Sequence, residues 1–64
     1  MKMTVNEKIK KYLEEHGITQ MWLSKTSGVP YKTLNDIVNG VIKVSAENLG
    51  KISKALGVSA DIFF

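Results

Sequence analysis

Between Ile18 and Gly40 the chain reads ITQMWLSKTSGVPYKTLNDIVNG, and this stretch leaves few folds open. Two short amphipathic runs flank Gly28, which predicts two helices joined by a tight turn. Gln20 opens the first run and Leu23 anchors it inward. Ser24 is small where the two helices cross. Val29 closes the small core, and Leu34 and Ile37, three residues apart, tie down the second run. The face these anchors leave free carries Tyr31, Lys32, Asn35 and Asp36. A helix held on one side by apolar residues can present donors and acceptors on the other, and base edges in a DNA groove are read by such groups.

The remaining elements follow from capping residues and glycines. Thr4 with Glu7 three residues on is a capping-box pattern, so the first helix starts at Thr4. Val5, Ile9, Tyr12, Leu13 and His16 follow one face at helical spacing, and Gly17 stops it. Thr19 is the N-cap of the second helix, which runs to about Ser27. The third begins near Pro30, where a missing N–H costs little, and ends at Gly40 after about ten residues. Ser45 caps the fourth, with Glu47 in its electropositive first turn and Leu49, Ile52 and Leu56 as its inner stripe. Gly57 stops it, and Ser59 caps a short fifth helix with Asp61 in its first turn. The expectation is an all-α, compact five-helix single domain over residues 1–64, with the two-helix unit at about 19–40.

With 64 residues, a second domain is not expected; a chain of about 60 residues buries only about 60% of its unfolded surface. There is no cysteine, so no disulfide and no thiolate ligand. No apolar run approaches the roughly 18 residues of a membrane span, and the opening MKMTVNEKIKK lacks an apolar signal core. The expected location is therefore the cytoplasm. The formal net charge is +3, with nine basic residues, all of them lysine, against six acidic ones. That balance suits a polyanion but equally describes a solvated surface. Lysine offers phosphate or guanine a point charge where arginine would offer a fork.

The segments GITQMWLSKTSGVPYKTLNDIVNG and SAENLGKISKALGVSADIFF together resemble the lambda-repressor-like helix-turn-helix domain of the Cro/C1 (XRE) family, over roughly Val5 to Phe63. The resemblance implies a regulator that binds double-stranded operator DNA with its third helix in the major groove, acting by occupancy as a repressor. By position it implies that Gln20 donates to a phosphate, that Tyr31, Lys32 and Asp36 face base edges, that Asn39 touches phosphate and that Lys43 adds a basic contact from the following loop. Thr33 and Asn35 flank this surface and fit either class. One such helix covers few base pairs, so a homodimer on two half-sites about 34–36 Å apart is implied. The DNA-bound protein would sit on the nucleoid.

Several residues depart from the family's pattern. Pro30 stands where a side-chain cap is usual, a loss of about 1 kcal/mol. Asp36 would repel phosphate unless it accepts from a cytosine amino group; pairing with Lys32 is the other reading. The loop Val41–Val44 is more apolar than the basic, proline-containing loop common in the family. Ala46, Gly50 and Ala60 are small where leucine is common, which points to a shallower core or a closely approaching partner. Trp22 is either a partner contact or packs against the first helix or the Val41–Val44 loop. The tail Ile62-Phe63-Phe64 and the Val41–Val44 loop are candidate dimer surfaces, unless Ile62 or Phe63 completes the core and only Phe64 is exposed.

Catalysis is not expected. Glu14, Glu15 and His16 are consecutive and do not share a helix face, so metal binding is not expected, and His16 is better explained by helix-end electrostatics. Neither a paired acid and base nor a phosphate-cradling glycine loop is evident, and no cofactor is called for. The alternative to a DNA-binding regulator is a protein-interaction module, or antitoxin-type partner protein, built on the same fold.

Overall fold

The computed structural model describes residues 3–64. Its helices are α1 (Val5–His16), α2 (Gln20–Ser27), α3 (Tyr31–Val38) and α4 (Ala46–Leu56), followed by a single 3₁₀ turn, Ala60–Phe63. The architecture is all-helical as expected, except that the fifth element is a 3₁₀ turn rather than an α-helix. Four residues are too few to propagate an α-helix, and the tighter i→i+3 pattern is common in such short pieces.

Three of the four α-helices start on their own side-chain caps. Thr4 Oγ1 accepts from the Glu7 N–H at 3.1 Å while Glu7 Oε1 accepts from the Thr4 N–H at 3.0 Å, a complete capping box. Thr19 accepts from the Trp22 N–H and Ser45 from the Asn48 N–H, both at 3.1 Å. Helix α3 differs: Pro30 occupies its N-cap position without a side-chain hydrogen bond. It is also shorter than the sequence implies, eight residues rather than about ten. Asn39 and Gly40 belong to its C-terminal turn, in which Gly40 N–H bonds to Ile37 O at 3.1 Å and Val41 N–H to Asp36 O at 2.8 Å. This is a Schellman arrangement, and it requires the left-handed conformation that Gly40 adopts at φ 73°.

Ile9, Leu13, Leu23, Val29, Leu34, Ile37, Val38, Leu49, Ile52 and Phe63 form one core drawn from every element. Helix α2 packs on α3 and α4, α1 packs on α3, and the closing turn rests on α1 and α4. Phe63 is the tail residue that completes the core, meeting Tyr12 edge to face at 5.8 Å, while Ile62 and Phe64 stay exposed. The α4 stripe is displaced from the expected one. Leu56 is half-buried and Ser53 takes a buried place, its hydroxyl satisfied by Leu49 O at 2.8 Å. Gly50 is exposed, with no heavy atom within 4 Å of where a Cβ would stand, so no close approach among the described residues requires it.

Candidate nucleic-acid interface

The turn between α2 and α3 is stitched by hydroxyls. Ser24 Oγ donates to Val29 O at 2.7 Å, and Ser27 Oγ accepts from the Val29 N–H at 3.2 Å. Ser24 is therefore a polar tie as well as a small residue. Gly28 holds φ 81° with open space around its Cβ direction, so the constraint there is backbone conformation and not crowding. Val29, 1% exposed, then plugs the core and sends the chain into α3.

Helix α3 buries Leu34, Ile37 and Val38. At a step of about 100° per residue, Lys32, Asn35, Asp36 and the adjoining Asn39 fall within one outward arc of about 100°. Lys32 and Asn39 are exposed, and Asn35 and Asp36 are partly covered. Tyr31, 51% exposed, flanks this arc on one side and the half-buried Thr33 on the other. Of the expected site residues, these six form a single surface.

Lys32 and Asp36 make no ion pair: the salt bridge found among the described residues is Lys51–Glu47 on α4, at 3.5 Å. In this geometry Asp36 is not engaged by Lys32, and its carboxylate keeps its acceptors for other contacts. A solvated i,i+4 pair is worth only a few tenths of a kcal/mol and does not oblige two long side chains to meet.

Gln20 and Lys43 lie apart from that arc. Lys43 is exposed on the loop beyond α3, beside Thr4 and Asn6 of the first turn region. Gln20, half-buried at the start of α2, has its side-chain Oε1 buried without a hydrogen-bond partner. A phosphate oxygen accepts, so it would answer Nε2 and leave Oε1 unpaired. Lys10 was not anticipated. It lines a shallow hollow with Glu7, Asn39 and Gly40, which puts an exposed lysine of α1 beside the C-terminal end of α3. Helical spacing alone sets it on the outer face of α1; its nearness to residue 39 is tertiary.

Trp22 is 48% exposed and lines a hollow with Gly17, Ile18 and Thr19, so it covers the α1–α2 turn and not the Val41–Val44 loop. His16 is exposed and stacks on Tyr12 with ring centroids 4.1 Å apart. Glu7, fully solvated, has its carboxyl held below the ordinary range, first by the Thr4 backbone N–H and then by the Thr4 hydroxyl.

A short helix projecting a polar face, held by a preceding helix across a glycine turn, defines a helix-turn-helix DNA-binding domain. The family model described as Helix-turn-helix matches residues 9–63, and the chain belongs to this Cro/C1-type (XRE) family. Comparison with curated proteins and with solved structures gives no match. The chain is thus a DNA-binding helix-turn-helix regulator, and no helix among the described residues is long and apolar enough to cross a membrane.

Proposed function

We propose that the protein is a sequence-specific cytoplasmic repressor that occupies an operator with α3 in the major groove. The observation that carries this reading is the outward arc of α3, polar throughout and free of ion pairing among the described residues, opposite a fully buried anchor face. In this reading Lys32 donates to guanine O6 and N7, Asp36 accepts from a cytosine amino group, and Tyr31, Thr33 and Asn35 contact bases or backbone at the edges. Gln20, Asn39, Lys43 and Lys10 hold phosphates. Eight residues at about 1.5 Å each give α3 a length of roughly 12 Å, comparable to the width of the major groove.

The protein binds as a homodimer. Two half-sites about one DNA turn apart, roughly 34–36 Å, would each receive one copy of α3. The surface assigned to this contact is an apolar groove of about 350 Å³ in which Val44, Ala46, Gly50, Ala60 and Phe64 take part. Selection of duplexes from a random pool, followed by a salt titration on the winner, tests the function. A dimer neutralising about 6–10 phosphates loses roughly 10³–10⁵ in affinity between about 50 and 200 mM salt. No enriched sequence, or a flat titration, would instead favour the protein-interaction or antitoxin-type reading, to which half-exposed Trp22 lends support.

A further inference from the structure

One asparagine on α1 grips both sides of the turn that ends α3. Asn6 Nδ2 donates to Ile37 O at 2.8 Å and to Ile42 O at 2.7 Å. A carboxamide nitrogen has two protons, and both are used here. The two carbonyls lie on opposite sides of the Schellman turn. Ile37 O already accepts from Gly40 N–H, so its second lone pair goes to Asn6. Ile42 O receives no backbone donor among the described hydrogen bonds. Packing gives this segment little hold, because Val41, Ile42 and Lys43 are all exposed and Val44 is the first residue packed against the core. Asn6 is itself fixed, one residue into a helix whose start is locked by the Thr4–Glu7 box. Asparagine is a poor helix former, and its place in this first turn is explained by what its side chain reaches.

We infer that Asn6 is a positioning residue for DNA binding: its clamp fixes the 39–43 segment, and with it Asn39 and Lys43, against the reading face of α3. The inference rests on the proposed contact of that segment with DNA. It requires no contact between Asn6 and the nucleic acid.

Two measurements test it. In the wild-type chain, the side-chain amide protons of Asn6 should exchange with solvent more slowly than those of Asn39, an exposed residue whose carboxamide has no partner among the described hydrogen bonds. Equal exchange would mean the clamp does not exist. Next, affinity for the selected duplex is measured for Asn6→Ala, Lys43→Ala and the double variant, at a temperature where circular dichroism shows each folded. Asn6→Ala should weaken binding about tenfold per folded molecule, roughly what one well-placed hydrogen bond is worth. The double variant should be no weaker than Asn6→Ala within about twofold, because Asn6 acts through the segment carrying Lys43. Unchanged affinity per folded molecule, or losses that simply multiply, would leave Asn6 a stability residue and overturn the inference. Slow Asn6 exchange together with no duplex binding by the wild-type chain would overturn the DNA reading, and this role with it, while leaving the clamp itself established.

Discussion

Helices α1 and α3 are held in opposite ways. Helix α1 has twelve residues and carries its own capping box, an acidic residue in its first turn, His16 in its last and Gly17 behind it. Helix α3 has eight, a proline at its N-cap, no acidic residue in its first turn and no basic one in its last. An eight-residue helix is marginal alone. It stands here because three of its residues are buried, because Gly28 and Gly40 shape its two ends and because Asn6 grips its exit. The exposed arc of α3 is relieved of stabilising its own helix, so its side chains are available for contacts outside the molecule.

The largest test of this contrast is Leu34→Ala. Leu34 is fully buried, and truncating such a leucine costs about 2–5 kcal/mol. Urea denaturation should show the domain mostly unfolded or close to it, and a loss under about 1 kcal/mol would mean that burial is not what holds α3. Gly28→Val comes next. Forcing a β-branched residue into the left-handed conformation costs about 1–2 kcal/mol, so thermal stability and DNA binding should fall together. An unchanged melting temperature would contradict the turn. Thr4→Ala probes the other helix. Losing that cap should cost about 1 kcal/mol of stability and weaken affinity per folded molecule less than Asn6→Ala does, because the cap only supports the clamp. A cost equal to that of Leu34→Ala would erase the distinction between the two helices.

The smallest effect is acid dependence at Glu7. Its folded pKa is lowered by hydrogen bonds to its carboxylate, so its contribution is fully present above the ordinary glutamate range and is lost as pH falls through the folded value. Wild type and Glu7→Gln should therefore differ in melting temperature at neutral pH and converge in acid. A gap that persists at low pH would assign the difference to something other than the ionised capping box.

What the sequence makes legible follows the same divide. Thr4, Thr19, Ser45 and Ser59 act within three residues of themselves, and each caps as its local pattern indicates. The outward arc of α3 is equally local, since helical periodicity alone groups Lys32, Asn35, Asp36 and Asn39. Asn6 is different. Its partners lie 31 and 36 residues away, and nothing around Asn6 in the sequence announces them. Lys10 is hidden for the same reason. Ser53 was obscured by chemistry: a polar residue in an apolar stripe reads as outward until its hydroxyl is seen bonding back to Leu49 O. The shortened α3 reflects a boundary effect, because Asn39 and Gly40 complete a C-terminal turn that periodicity counts as helix.

The most direct test of the central claim, that α3 reads DNA sequence, is competition binding of Lys32→Ala on the selected duplex and on a scrambled one. Lys32 lies in the first turn of α3, where side chains reach base edges. Lys32→Ala should lose about 1–3 kcal/mol on the selected site and much less on the scrambled duplex. Equal losses on both would make Lys32 a phosphate contact and leave Tyr31 and Asp36 as the readers. No loss on either would mean that α3 is not the recognition element, and the proposed function would be contradicted.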